Sequence, residues 1–295
     1  MKLKDLSLIA KFNLVLIGVF SIALLVTGAL SYRILQQNAR QEVIERAGMM
    51  MESALAVRGY TIGEIRPLLA LQMKHSFLPQ TVPAYAATQT FVKFREKHPE
   101  FQYKEATLNP TNPRNRTIEW EADIVERFRS QADEQQLIGV RETPTGLSLY
   151  LARPIQIKDP ACLVCHSTVD VAPKTMLARY GTANGFGWKL NEVVGAQIVS
   201  VPMSLPIEQA RRTFYTFMGT LAAIFVAITV VLNVMLRSIV IQPVVQMSRL
   251  ADEVSRGKFD TPEFSEQAKD EIGVLAASFN RMRRSLEKAM KMLEG

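Results

Sequence analysis

Both cysteines of this 295-residue chain lie in one pentapeptide, Cys162-Leu163-Val164-Cys165-His166. Two thiols at this spacing can each form a thioether with one vinyl group of the same porphyrin. The histidine that follows can then supply an imidazole nitrogen to the iron as its proximal ligand. C-x-x-C-H is typical of covalent haem c attachment. We therefore predict one haem c per chain, tethered through Cys162 and Cys165 and ligated by His166.

Three other kinds of site remain open for the same residues. A zinc site needs about four protein ligands, whereas the chain has only two cysteines and three histidines. A thioredoxin-like dithiol lies at a helix start within a βαβ unit, but here Pro160 precedes the pair and the flanking pattern is not βαβ. A structural disulfide is the third alternative. The spacing favours haem attachment over all three.

The second axial position of the iron is left open by the sequence. The candidate ligands are His75, His98, Met73, Met176 and Tyr85. His98 lies in what reads as an exposed helix end, and the two methionines could equally serve core packing. An iron with no second protein ligand would instead leave an open site for a diatomic gas.

Two apolar stretches flank the segment that carries the motif. The first runs over residues 12–32, with no charge in 14–30, and residues 214–236 carry no charge at all. At about 1.5 Å per residue the second reaches roughly 35 Å, enough to cross a hydrocarbon core of about 30 Å. We predict two transmembrane helices, preceded by an N-terminal segment 1–11 and enclosing residues 33–213. A cleaved signal peptide is the alternative for the first, but no clear A-x-A site follows it.

The distribution of charge does not determine the membrane orientation, and it does not indicate a nucleic-acid-binding surface. Basic residues flank the spans equally on both sides, so the positive-inside rule is silent. Covalent haem attachment takes place outside the bacterial cytoplasmic membrane, so the motif places residues 33–213 in the periplasm and both termini in the cytoplasm. The net charge is +7, but it is spread without long basic runs or interleaved aromatics. We therefore expect membrane lipid, and no nucleic acid, as a partner.

The enclosed segment changes from a helical to an alternating pattern along its length. Helices are predicted over residues 33–75, 84–98 and 117–133, and strands over Leu137–Glu142, Leu147–Ile157 and Val193–Met203. Thr143-Pro144-Thr145-Gly146 suits a hairpin turn. The motif lies between the second and third strands and is followed by a cluster that either walls the porphyrin or forms an ordinary tight loop: Tyr180, Gly181, Gly185, Phe186, Gly187 and Trp188. The predicted fold class is α+β, with a PAS-like antiparallel sheet behind a long N-terminal helix.

Two amphipathic helices follow the second apolar stretch. The first runs to Arg256, and after a glycine-containing connector the second begins at Asp270-Glu271-Ile272-Gly273. Its apolar residues follow an unbroken heptad: Ile272, Leu275, Phe279, Met282, Leu286, Ala289 and Leu293. With Pro243 early in the first helix, residues 237–290 resemble a HAMP module, and 291–295 form the C-terminal end. The resemblance implies a parallel four-helix coiled coil made by two chains, hence a homodimer.

Much of residues 80–203 also resembles a known family, the PAS-like periplasmic c-type haem sensor domains, formerly a domain of unknown function and often joined to HAMP. The stretches that carry the resemblance are Tyr103-Lys104-Glu105-Ala106, Asn109-Pro110-Thr111-Asn112-Pro113-Arg114-Asn115, Trp120-Glu121, Ala152-Arg153-Pro154-Ile155, Cys162–His166, Ala172-Pro173, Tyr180-Gly181, Gly185-Phe186-Gly187-Trp188 and Val199-Ser200-Val201-Pro202. The resemblance implies haem bound through Cys162, Cys165 and His166, and a redox or gas sensing role. In a soluble cyanobacterial relative the second iron ligand is a cysteine, and because this chain has no third cysteine, that ligation does not carry over.

These features predict a sensor in the bacterial inner membrane rather than an enzyme. A change in the oxidation state or ligand of a periplasmic iron would pass through the membrane helices to HAMP. No phosphoacceptor histidine or ATP-binding segment follows the last heptad position, so we expect a separate cytoplasmic signalling protein as the partner. Two alternatives remain: a membrane-anchored c-type cytochrome for electron transfer, and a receptor for a ligand other than haem.

Overall fold

The computed structural model describes residues 6–131, 133–144, 146–260, 262–264 and 269–294. Residues 1–5 of the predicted N-terminal segment, Thr145 of the predicted turn and Gly295 at the C-terminal end lie outside these ranges. The chain divides into two compact units, Tyr32–Thr213 and a second unit formed by Met1–Ser31 with Phe214–Gly295.

Helices account for most of the described chain, and four strands form a single sheet. The helices are α1 (Leu8–Tyr60), α2 (Arg66–Leu68), α3 (Ala70–Met73), α4 (Pro83–Arg95), α5 (Glu119–Ser130), α6 (Leu163–His166), α7 (Lys174–Tyr180), α8 (Ser204–Met235), α9 (Gln242–Ser255) and α10 (Glu271–Glu294). The strands are β1 (Gln102–Thr107), β2 (Leu137–Thr143), β3 (Gly146–Gln156) and β4 (Val193–Pro202). Two π-helical segments, Thr61–Ile65 and Leu236–Ile241, directly follow α1 and α8.

The sheet of the enclosed unit is antiparallel throughout, with strand order β1-β4-β3-β2. The predicted hairpin is confirmed by the pairing of Thr143 with Gly146 at its closed end. The three predicted strands are also confirmed, with ends that differ by at most one residue. Strand β1 was not predicted, because its buried positions include the carboxylate of Glu105 and so break the apolar alternation that marks a strand.

Helices cover both faces of the sheet. On one face α1 and α4 pack against side chains of β1, β3 and β4; the buried members are Val43, Ala47, Met50, Met51, Ala54, Ala87, Phe91, Tyr103, Leu149, Leu151, Val199, Val201 and Met203. On the other face α5 contributes Ile124, Val125 and Phe128, which pack over the strand residues Ala106, Ala152, Ala196 and Ile198. Successive residues of β4 alternate between the two clusters, as the period of two along a strand requires.

In the other unit, α1 and α8 each contain a stretch long and apolar enough to cross a membrane. Only 6% and 0% of these stretches is buried by protein, in contrast to the core helix of a soluble domain. The rings of Phe20 and Phe225 stack at 4.4 Å. The side-chain amides of Asn13 and Asn233 exchange two hydrogen bonds of 2.9 and 2.7 Å. This contact satisfies two polar groups that would be costly to leave unpaired in hydrocarbon.

After the second apolar helix, α9 and α10 pack through Met247, Val254 and Ala276, which are buried. The Asn280 side chain is also buried and holds the connector, since it accepts from the Phe264 amide at 3.1 Å and donates to the Phe264 carbonyl at 2.9 Å. Several of the predicted heptad positions are exposed in the single chain, whereas Ile272 and Phe279 are partly buried. Leu275, Met282 and Leu286 are 49%, 56% and 45% exposed, and the side chain of Leu293 lies outside the described residues. These exposed apolar side chains suit packing against another helix.

Candidate functional site

The C-x-x-C-H motif lies in the connection between β3 and β4, as its sequence position predicts. The Asp159 carboxylate accepts a hydrogen bond from the Ala161 amide at 2.8 Å and caps a 3-10 turn that ends at Cys162. The single helical turn of α6 follows and ends at His166. Residues three and four apart lie on one face of a helix, and the two cysteines and the histidine accordingly line one cavity of about 280 Å³.

The imidazole of His166 is held in one orientation and one tautomer. Its Nδ1 lies 2.8 Å from the carbonyl oxygen of Gly185, and its ring stacks on Trp188 with centroids 4.0 Å apart. Because a carbonyl can only accept, Nδ1 carries the hydrogen and Nε2 keeps its lone pair. Burial lowers the pKa of His166, and the Gly185 bond only partly opposes this shift. The neutral ring with a free Nε2 is the form that ligates metals.

The Gly185 carbonyl is positioned by a close contact with the proline-rich turn over residues 109–115. Gly185 has φ +87°, and a Cβ atom there would lie 2.8 Å from both the backbone N and Cα of Thr111. Asn109 Oδ1 accepts from the Gly185 amide at 3.2 Å. The amide of Trp188 donates to the His166 carbonyl at 3.1 Å. Only glycine fits at position 185, because the site needs both a left-handed backbone and this close approach.

The glycine and aromatic cluster after the motif therefore has divided roles. Tyr180 and Trp188 line the cavity, whereas Phe186 is not one of the described residues that line it. Gly185 approaches the Thr111 backbone. Gly187 has positive φ with open space around it. The sequence predicted either a wall for the porphyrin or an ordinary tight loop. The structure differs from both, because Tyr180 and Trp188 line the cavity while Gly185 orients the histidine.

The two thiols are free and partly exposed. Burial raises the pKa of both; for Cys162 the carboxylate of Asp159 raises it further, while Arg58 and Arg66 oppose the shift. Among the described residues, no group of three or more His, Cys, Asp or Glu side chains is arranged to hold a metal ion. These described residues therefore do not provide the ligands of a zinc site. The antiparallel sheet likewise does not provide the βαβ setting of a thioredoxin-like dithiol.

The structure separates the five candidates for the second axial position. Met73, Met176 and Tyr85 line the cavity with His166. His75 and His98 are not found among the described lining residues.

Met73 and Met176 differ in what their sulfur atoms do. The sulfur of Met73 accepts hydrogen bonds from the Leu78 amide at 3.2 Å and the Thr81 hydroxyl at 3.3 Å. Met176 is 2% exposed, and its neighbour Thr175 lies with its hydroxyl 3.5 Å from the Met73 carbonyl. The two thioethers thus belong to one wall of the cavity, where α7 meets the end of α3.

A partly buried ion pair that the sequence did not reveal also lines the cavity. The Arg58 guanidinium, near the end of α1, donates from Nη1 to both carboxylate oxygens of Glu105 at 2.7 and 2.6 Å. The Tyr103 hydroxyl donates to the same carboxylate at 2.8 Å and accepts from Gln197 at 3.3 Å. Burial, the largest single effect, would lower the pKa of Arg58, but the charge and hydrogen bond of Glu105 together with Tyr103 and Cys162 raise it. Burial, and then the Glu105 charge, raise the pKa of Tyr103, so its hydroxyl stays a donor.

Comparison with known proteins finds a match for the enclosed unit and another for the region after the second apolar helix. Residues 36–202 match the Tll0287-like family (Tll0287), and residues 235–288 match the HAMP domain. Over 104 residues the chain is 33% identical to the sensor histidine kinase WalK of Bacillus subtilis (strain 168), a match that spans 35% of this chain and 17% of the kinase.

Among solved structures, the crystal structure of the cyanobacterial heme-protein Tll0287 is similar at 15% identity and a TM-score of 0.43. The match covers 55% of this chain and 95% of that one. Since the family match extends over more than half of the sequence, the chain belongs to the Tll0287-like family, with a HAMP domain following its second apolar helix.

Proposed function

We propose that this chain is a membrane-bound haem c sensor of redox state or of a diatomic gas, which relays its signal through HAMP to a separate cytoplasmic partner. The Tll0287-like and HAMP domains support a membrane signalling sensor. One observation carries the haem assignment: Cys162, Cys165 and His166 line a single cavity, and His166 is held with its Nε2 free.

The cavity fits a haem in its chemistry and its walls. Its volume of about 280 Å³ is close to the lower end of the roughly 300–1,000 Å³ typical of small-molecule and cofactor sites. Aromatic and thioether side chains supply apolar walls. The charged side chains of the lining are three arginines against two carboxylates (Arg58, Arg66, Arg114, Glu105 and Asp159), a balance that suits the two propionates of a haem.

Each motif residue has a distinct task in this proposal. The thiols of Cys162 and Cys165 tether the porphyrin, and His166 Nε2 binds the iron. The Gly185 carbonyl keeps the imidazole oriented, and such a partner raises the basicity of a metal-bound histidine. Trp188 and Tyr180 exclude water from the cavity. When bound, the haem supplies a one-electron couple and a site for a gas ligand.

The signal route follows from the chain's connections. The helix α1 runs without a break from Leu8 to Tyr60, and Ser204, the first residue of α8, lies two positions after the end of β4. Both apolar helices are thus covalent extensions of elements that build the sensory unit. HAMP is the proposed two-state element, and its exposed heptad side chains support a homodimer. Haem attachment requires the enclosed unit to face the periplasm of a bacterial inner membrane.

Covalent attachment is tested by haem peroxidase staining after denaturing electrophoresis of protein made in a host that matures c-type cytochromes. We expect a stained wild-type band and no stain in Cys162→Ser/Cys165→Ser. Ser167→Ala, adjacent to the motif, is the matched control and keeps its stain. An unstained wild-type band rejects the haem assignment, and a stained double variant rejects the assigned cysteines.

Signalling is tested separately by a disulfide cross-link across HAMP. In the haem-loaded protein both native thiols are consumed, so Met282→Cys adds a single free thiol on the exposed heptad face. We expect its cross-linking yield to differ between ferric and ferrous protein, or with and without CO or NO. Equal yields in all states, in protein that carries haem, would favour the electron-transfer alternative.

A further inference from the structure

The ion pair of Arg58 and Glu105 combines a buried carboxylate with a guanidinium side chain that is 23% exposed. Glu105 is 3% exposed and receives hydrogen bonds from Arg58 and from the Tyr103 hydroxyl, so every oxygen of the carboxylate is satisfied. Burying the Glu105 charge and partly burying that of Arg58 is costly, and well-packed apolar residues are often as stabilising as such a pair. Fold stability alone therefore does not explain why two charges occupy this wall.

The pair lies where it can act on a cofactor. Both side chains line the cavity that contains the thiols and His166, and Arg58 is close enough to influence the charge state of Cys162. Charges separated by protein rather than water interact strongly, because the effective dielectric constant is low. The charge state of any group in the cavity is therefore coupled to these two residues.

The pair also connects the cavity to the helix that carries the signal. Arg58 lies in the last turn of α1, and the π-helical segment Thr61–Ile65 begins three residues later. Such π-helical insertions occur frequently at functional sites. Glu105 lies on β1, so the ion pair ties the end of α1 to the sheet. A force on the guanidinium acts directly on the end of this helix.

Resting on the haem assignment above, we propose that Glu105 and Arg58 set the reduction potential of the iron, and that Arg58 is the positioning residue that passes the charge of the iron to α1. The ferric state carries one positive charge more than the ferrous state. Glu105 therefore stabilises ferric iron and Arg58 stabilises ferrous iron. Reduction takes one electron from a one-electron donor, forms or breaks no bond in the pair and moves no proton.

The two partners are tested by the midpoint potentials of the full-length, haem-loaded protein in detergent, titrated with dithionite and ferricyanide. Glu105→Gln removes a negative charge and is expected to make the potential more positive. Arg58→Gln leaves the carboxylate uncompensated and is expected to make it more negative. The double variant should return towards the wild-type value. Admitting water to the cavity would move every variant in the same direction, so opposite signs separate a charge effect from a structural one.

Two further variants control for the chemistry and for folding. Glu52→Gln removes a carboxylate from the same helix, where Glu52 pairs with Arg153 at 2.7 Å outside the lining of the cavity, and should leave the potential unchanged. Tyr103→Phe keeps both charges and removes one hydrogen bond from Glu105, so it should lower the potential by less than Arg58→Gln. It provides the test if either charge variant does not fold.

The link to α1 has its own readout in hydrogen exchange of the amides over residues 57–65. We expect exchange there to differ between ferric and ferrous wild type. The ion pair is the proposed link between the iron and α1, and coupling between two sites is reciprocal. The difference should therefore shrink in Arg58→Gln/Glu105→Gln. Haem-loaded variants with unchanged potentials, or with shifts of the same sign, would overturn this proposal alone. A wild type that carries no haem would overturn the proposed function and this proposal with it.

Discussion

Replacing Gly185 by alanine tests whether a close backbone contact fixes the proposed proximal histidine. Gly185 and Gly187 both have positive φ, +87° and +81°. A Cβ on Gly187 meets nothing within 4 Å, whereas a Cβ on Gly185 would overlap the Thr111 hydroxyl and crowd its backbone. The two alanine variants therefore share one source of strain and differ in the other, which makes Gly187→Ala the matched control.

The magnitudes follow from these two contributions. A left-handed backbone costs a non-glycine residue about 1–2 kcal/mol, and this cost applies to both variants. Forcing an extra carbon into a packed contact costs typically about 1–3 kcal/mol more, and this cost applies only to Gly185→Ala. With a urea slope of about 2 kcal/mol per M, the unfolding midpoints of the two variants should differ by about 0.5–1.5 M.

Tryptophan fluorescence is a suitable assay, because both tryptophans of the chain, Trp120 and Trp188, lie in the enclosed unit. Gly185→Ala should also change the absorption spectrum of the haem, since the carbonyl that bonds His166 Nδ1 must move. Equal midpoints for the two alanine variants, with an unchanged spectrum in Gly185→Ala, would refute the argument that this approach positions the histidine.

Three further outcomes are expected outside the cavity. Asn233→Leu removes the amide pair between the two apolar helices and should weaken their association by about 0.6–2 kcal/mol. Thermal aggregation of detergent-solubilised protein measures this effect, and an unchanged transition temperature would count against the contact. Asn280→Ala leaves the Phe264 backbone groups without their side-chain partner and should destabilise the packing of the connector by about 1–3 kcal/mol. We expect faster proteolysis of the connector, and a wild-type cleavage rate would argue against a role of Asn280 in holding it. Leu286→Glu places a charge on the exposed heptad face and should lower the dimer fraction in light scattering, while Lys288→Glu on the same helix should not.

Local sequence patterns predicted the features that depend on neighbours along the chain. The motif could be interpreted because the spacing of its two thiols and imidazole indicates which group they can bind. The two apolar helices could be predicted because the uncharged stretches are long enough to span a bilayer. Strands β2, β3 and β4 followed from alternating or β-branched residues. The heptads predicted a packed helix after the second apolar stretch, since that period directly reflects helix packing, and the resemblance to HAMP rested in addition on Pro243 and Asp270-Glu271-Ile272-Gly273.

Features that depend on contacts distant in sequence could not be predicted in this way. Glu105 breaks the pattern of β1 because it is buried by Arg58, which lies 47 residues earlier. The role of Gly185 depends on Thr111, whose proximity only the tertiary fold creates. The sequence treated all candidate axial ligands alike, whereas the fold brings Met73, Met176 and Tyr85 to the cavity. In each case the decisive partner belongs to a different element.

Haem attachment is the central claim, and the intact mass of the mature polypeptide tests it most directly. The protein is produced in a host that matures c-type cytochromes, and its peptides are then mapped. We expect one added haem per chain, carried by the peptide that contains Cys162–His166. A polypeptide with free Cys162 and Cys165 and no added porphyrin mass would contradict it.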